Sequence, residues 1–180
     1  MDKLLNKFVE WQKKKHNRLI KILFIIVIPP IFLLFVLSPS LLLSKNIDEM
    51  LALPKILIPT LNVYLGIPLF IIGLTLFIWT TLLFFRVGEG TQIPLMPTQK
   101  LVTSGPFAYC RNPMVLGVIL FISGLGVLFN SFSFITVGLV IPSLYLIYIK
   151  FIEEKELMIR FGQEYFEYKK HVRFLIPYLW

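Results

Sequence analysis

Arg111 directly precedes Asn112-Pro113 at the start of a long uncharged stretch, and two adjacent carboxylates, Glu153-Glu154, follow shortly after it ends. Asn is a good helix N-cap and Pro a good first helical residue, so Asn112-Pro113 reads as a helix start. The free N–H groups of such a terminus suit an anionic ligand group, and Arg111 adds a forked cationic donor beside them. If the stretch folds back on itself as a helical hairpin, Glu153-Glu154 returns to the same end. An arginine and two carboxylates facing one pocket suit a zwitterionic ligand. The plainer reading of the same residues is a helix start flanked by snorkelling interface charges. A single cysteine, Cys110, and two distant histidines, His16 and His171, make a poor ligand set, so no metal is expected. One cysteine also forms no internal disulfide.

The elements that must carry these residues are membrane helices. Of the 180 residues 57% are hydrophobic, and mean hydropathy is +0.79. A soluble domain of this size cannot hide so much apolar surface. Residues 22–43, 56–85 and 112–149 contain no charge. About 20 apolar residues cross a bilayer, so the first two blocks give one span each. The third has room for two, roughly 113–129 and 132–150, with Asn130-Ser131 as the turn. The first block exceeds a signal-peptide core and no small-x-small site follows it, so it reads as a retained span. The fold class expected is all-α: a polytopic membrane helical bundle of about four transmembrane helices, with cytoplasmic loop and C-terminal helices.

Charge then sets orientation. The net charge is +8. Seven Lys and Arg precede the first span, three lie in 86–111 and six in the tail. Only Lys45 and Lys55 fall on the other side. The positive-inside rule puts both termini in the cytoplasm. The basic balance points to anionic lipid headgroups, with no nucleic-acid motif beside it.

Local features refine the picture. Residues 1–18 read as an amphipathic interfacial helix with Leu4, Leu5, Phe8 and Trp11 on one face. Pro29-Pro30 predicts a kink in the first span, and Pro59 and Pro68 a bent outer end of the second. Residues 86–112 form a long loop, rich in Gly, Pro and hydroxyls but interleaved with apolar residues, which argues for an ordered, functional segment. Gly117, Gly124 and Gly126 give the third span a small-residue packing face. The tail predicts a helix to about Phe161, a break at Gly162, a second helix over about 163–171, and an aromatic end, 174–180, that returns to the interface.

Two patterns carry a resemblance. Gly105-Pro106-Phe107-x-x-x-Arg111-Asn112-Pro113-Met114-x-x-Gly117 is the first. Glu153-Glu154-x-x-Leu157-x-x-x-Phe161-Gly162-x-x-Tyr165-x-x-Tyr168-x-x-x-Val172, followed by Ile176-Pro177, is the second. Together with Pro97-x-x-x-Leu101-Val102, they resemble the isoprenylcysteine carboxyl methyltransferase and phospholipid methyltransferase superfamily, in its bacterial branch. The resemblance covers about residues 86–177. It implies an S-adenosylmethionine-dependent methyltransferase with its site at the cytoplasmic face. The cofactor-binding residues it implies are Val102, Gly105, Pro106, Tyr109, Arg111, Asn112, Pro113, Leu116, Gly117, Glu153 and Glu154, with catalytic roles for Arg111, Glu154 and Tyr109. Residues 1–85 then form an N-terminal part of one interfacial helix and two spans, and 86–180 the catalytic region. The expected acceptor is a lipid or another hydrophobic small molecule. Eukaryotic prenylcysteine enzymes have His at the place of Asn112, which points away from a prenylated protein.

Two other classes compete: an NADPH-dependent, steroid-reductase-like membrane enzyme, and a non-catalytic lipid-binding protein. A thermal-shift screen separates them. We expect stabilisation by S-adenosylmethionine and S-adenosylhomocysteine and none by NADPH; a shift with NADPH alone selects the reductase, and no shift with any selects the binding protein.

Overall fold

The computed structural model describes residues 18–91 and 96–176. The expected interfacial helix before Arg18 and the last residues, 177–180, lie outside the described residues. Among the described residues six α-helices follow one another: α1 Arg18–Met50, α2 Pro59–Arg86, α3 Pro113–Leu128, α4 Phe132–Tyr148, α5 Glu154–Phe161 and α6 Gln163–His171. A short 3₁₀ turn, Gly105–Ala108, precedes α3, and a π-helical turn, Ile149–Glu153, joins α4 to α5. The regular elements among the described residues are all helical, apart from one isolated parallel bridge, Cys110 with Arg173.

Among the described residues two helical stretches are long and apolar enough to cross a membrane: Thr60–Arg86 and Phe132–Phe161. Pro113–Leu128 is apolar but shorter. α1 runs without interruption through Pro29-Pro30 and beyond the uncharged block to Met50. α2 begins with Pro59 in its first turn, where the missing N–H costs nothing, and ends at Arg86 as expected. Pro68 lies within it.

What joins α2 to α3 is a pair of glycines on each. A Cβ added at Gly73 would lie 2.3 Å from the backbone nitrogen of Phe121 and 2.7 Å from the carbonyl oxygen of Gly117. One at Gly124 would lie 2.4 Å from the nitrogen of Phe70 and 3.0 Å from the carbonyl oxygen of Gly66. The two helices are thus antiparallel, with Gly66 opposite Gly124 and Gly73 opposite Gly117. Small residues let membrane helices approach to backbone contact, where dispersion replaces the hydrophobic drive that lipid does not supply. Gly126 belongs to another contact, against Ile135 of α4. The core formed by Phe121, Ile122 and Phe134 draws in Leu37 and Leu41 from α1, Phe70 and Leu74 from α2, and Leu139 from α4.

The α3–α4 turn falls at Asn130-Ser131. Asn130 adopts a positive φ of 54°, a conformation Asn tolerates better than most residues. Its side-chain amide closes on the backbone of Leu57, donating to the carbonyl at 2.7 Å and accepting from the N–H at 2.9 Å. Ser131 caps α4 by accepting from the N–H of Phe134 at 3.1 Å and donates to Asp48 of α1. Asp48 also accepts from the N–H of Ser133. One polar cluster therefore ties α1 and the α1–α2 connection to the turn, at the end of the bundle opposite Arg111.

Gly73→Leu drives a side chain into helix backbone. Overpacking of this kind costs about 1–3 kcal/mol or more, so the variant should unfold at clearly lower temperature in detergent than the wild type. Ile72→Ala, at a half-exposed neighbouring position, should not.

Candidate active site

The site forms where the α2–α3 connection meets the end of α4. Gly88 turns the chain out of α2: its carbonyl accepts from the N–H of Gln99 at 2.6 Å. Thr91 closes the same loop, its N–H and hydroxyl both donating to the carbonyl of Met96 at 2.8 and 2.9 Å. Gly105, at φ 62°, makes the turn into the 3₁₀ segment beneath Leu83 and Trp79. Phe107 then stacks on Phe84 with ring centroids 4.9 Å apart. These contacts fix Val102 and Phe107, both 4% exposed, as one wall.

The tail supplies the next wall by folding back. The N–H of Arg111 donates to the carbonyl of Arg173 at 2.8 Å. Tyr168 donates its hydroxyl to the carbonyl of Phe107 at 2.7 Å. Asn112 is at the N-cap position, but its side chain makes no cap hydrogen bond. It donates instead to the carbonyl of Phe174 at 2.8 Å. The expected capping role is thus replaced by a tie to the tail. The α3 terminus is correspondingly crowded, with Pro113 fully buried.

Between these walls lies a buried charge pair. Arg111 Nη1 stands 3.0 Å from Glu154 Oε1, with the side chains 11% and 8% exposed. The approach is ionic rather than a directed hydrogen bond: Arg111 Nε and Nη1 and Glu154 Oε1 are buried without a hydrogen-bond partner. Phe174 lies under the guanidinium at 5.7 Å. Lys169 Nζ contacts the other carboxylate oxygen, Oε2, at 2.5 Å. Tyr165, 2% exposed, hydrogen-bonds Arg111. Its phenol is raised well above the usual range, first by burial and then by the charge of Glu154. Burial does the same to Tyr168 and pushes the Cys110 thiol up. All three therefore stay protonated at neutral pH: the Tyr165 oxygen accepts from the Arg111 guanidinium, Tyr168 keeps the proton it donates to Phe107, and Cys110 is no thiolate nucleophile.

A second polar group belongs to α4 and α5. Tyr145 donates to Glu153 at 3.5 Å and stacks on Tyr148, 15° from parallel. Arg160 Nη1 stands 3.1 Å from Glu156 Oε1, both nearly inaccessible, and its Nη2 donates to the carbonyl of Thr98. Arg160 thereby fastens the loop wall to α5.

A cavity of about 100 Å³ lies among these groups, lined on its polar side by Arg111, Asn112, Glu153, Glu156, Arg160 and Tyr165 and on its apolar side by residues that include Val102, Phe107 and Val115. Of the residues singled out in the sequence, Val102, Arg111, Asn112 and Glu153 reach it. Glu154 stands behind it on Arg111. Gly105, Pro106 and Pro113 shape the backbone around it. Leu116 and Gly117 lie farther along α3, where Gly117 packs on α2. Tyr109 is 66% exposed and outside the cavity. Sequence reasoning missed Tyr145, Tyr148, Glu156 and Arg160. The i,i+4 spacing of Glu156 and Arg160 was a usable signal. Among the described residues no group of three or more His, Cys, Asp and Glu can hold a metal ion.

A family model described as phospholipid methyltransferase matches residues 61–164, more than half of the chain. The chain matches no curated protein and no solved structure.

Asn112→Ala leaves the carbonyl of Phe174 without its donor, a loss of about 1 kcal/mol. The tail should then loosen from the 107–112 segment, seen as faster hydrogen exchange at the amide of Arg111, with exchange in the middle of α3 unchanged.

Proposed function

The chain belongs to the phospholipid methyltransferase family, which indicates a membrane methyltransferase, and on that premise we propose that it transfers a methyl group from S-adenosylmethionine to a hydrophobic or lipid-like acceptor at the cytoplasmic interface. The observation that carries this reading is the Arg111–Glu154 pair. A buried guanidinium and carboxylate, each with polar atoms lacking a hydrogen-bond partner, are costly unless a ligand completes them. An α-amino acid group offers the matching carboxylate and ammonium.

Arg111 would hold the carboxylate and Glu154, which stands behind Arg111 and meets a ligand only once the walls part, the ammonium, with Asn112 and Glu153 available to further polar groups. Val102, Leu101 and Phe107 offer apolar surface to an adenine. The fit is one of chemical kind. The cavity is smaller than the ~300–1,000 Å³ of pockets that enclose drug-sized ligands, so binding also needs the walls to part. S-adenosylmethionine, when bound, supplies an electrophilic methyl group on a sulfonium for in-line displacement. The chain's own task is alignment and exclusion of water. A carboxylate or thiolate acceptor needs no base. An amine acceptor must lose a proton, and Glu153, the carboxylate at the cavity without a cationic partner in direct contact, is placed to accept it. Tyr109 lies too far out for that role.

The membrane arrangement proposed is four spans, α1 to α4, with both termini cytoplasmic. α1 contains the uncharged block 22–43, and α3, although short, packs along its length on α2. The functional division falls near residue 86, because the cavity lining comes from Phe84 onward. The acceptor's chain would approach from lipid between α2 and α4.

Calorimetry with S-adenosylmethionine tests the assignment. Wild-type protein should bind, whereas Arg111→Ala and Glu154→Gln should lose binding by at least about tenfold, each removing the charged group that would meet one end of the α-amino acid moiety. Wild-type affinity in both variants sinks it. Retained folding is checked by the thermal transition in detergent.

A further inference from the structure

Glu154 is shared between two cations of unequal mobility. On one side Arg111 is anchored: its N–H is tied to Arg173, its guanidinium meets Tyr165 and lies over Phe174, and its side chain is 11% exposed. On the other side Lys169, from the last turns of α6, reaches Glu154 Oε2 with a side chain 41% exposed. Lysine is a strongly hydrated point charge on a flexible four-carbon stem, and the Lys169 side chain, 41% exposed against 8% for Glu154, regains its hydration readily when it lets go. Of the two partners, Lys169 can therefore leave for water at small cost, whereas Arg111 cannot. Yet its ammonium occupies the very oxygen that a ligand ammonium would seek. The exchange of one ammonium for another keeps two cations on the buried Glu154 carboxylate throughout.

We propose that Lys169 is an affinity-setting residue: its side-chain ammonium acts as an internal stand-in for the ammonium of an α-amino acid-bearing ligand and is displaced from Glu154 when that ligand binds. The proposal rests on the cofactor reading above and goes beyond it in sign. A residue that merely supports the site weakens binding when removed; a stand-in strengthens it.

The test is calorimetry on full-length protein with S-adenosylhomocysteine, which carries the ammonium and carboxylate, and with 5′-methylthioadenosine, which lacks both. Lys169→Met keeps the apolar stem and removes the charge. It should bind S-adenosylhomocysteine more tightly, by about three- to fivefold for a pair of this exposure, while its affinity for 5′-methylthioadenosine stays at the wild-type value. Lys169→Arg keeps the charge and should show no gain for either ligand. Unchanged or weaker binding of S-adenosylhomocysteine by Lys169→Met, with the wild type still binding, overturns the proposal and leaves the cofactor reading standing. A gain equal for both ligands also overturns it, because the effect then ignores the ammonium. Failure of the wild type to bind either ligand overturns the cofactor reading, and this proposal with it.

Discussion

The backbone contact between α2 and α3 is the constraint on which the rest is built. Lipid gives two apolar helices little reason to prefer each other over acyl chains, so association has to come from close packing. Gly66 and Gly73 facing Gly124 and Gly117 let the two backbones meet, and a Cβ at any of them would strike the opposite helix. That register fixes where α2 ends relative to where α3 begins. The loop between Arg86 and Pro113 therefore has its two ends held together and can fold as an ordered wall. Arg111, two residues before α3, inherits its position from the same contact.

Once that frame is set, charge organises the site. Arg111 and Glu154 lie far apart in sequence and meet where little water can screen them, and a buried pair of this kind is weak evidence for stability because desolvation offsets much of its attraction. Its value is in specifying an arrangement. The tail reinforces it through Arg173, Phe174, Tyr165 and Tyr168, so that backbone, aromatic face and phenol each hold one part of the same corner. The polar cluster of Asp48, Asn130 and Ser131 does equivalent work at the other end, where it pins α1 to the α3–α4 turn. At the Asp48 end the carboxylate accepts from both a hydroxyl and a backbone N–H; polar atoms without a hydrogen-bond partner occur at both ends, Asn62 Oδ1 beside the turn and atoms of Arg111 and Glu154 at the site.

Much of this was legible residue by residue. The uncharged blocks locate the helices, because twenty apolar residues mean the same thing wherever they occur. Gly162 marks the break between α5 and α6 and has a positive φ of 53°; Asn130-Ser131 marks the turn; Arg86 marks the end of α2. The proximity of Arg111 to the paired glutamates follows from the hairpin alone. Other features were hidden by particular causes. The π-helical turn at Ile149–Glu153 adds a residue to the turn and rotates everything after it, so the faces of Glu154, Glu156 and Arg160 cannot be extrapolated from α4. Asn112 looked like a cap because local chemistry favours it, but a carbonyl from Phe174, brought in by the tail, competed for its amide and won.

The sequence by itself determined the elements, their order, the membrane class and the charged residues available for a site, since apolar run length, turn residues and charge placement act locally and need no partner. Tertiary structure alone decided which glutamate pairs with Arg111, that Gly117 serves packing on α2, that Tyr109 faces outward, and that Lys169 also contacts Glu154. Each of these depends on the relative rotation and register of helices distant in sequence. That rotation is set by backbone contacts and one inserted residue, which no local pattern encodes.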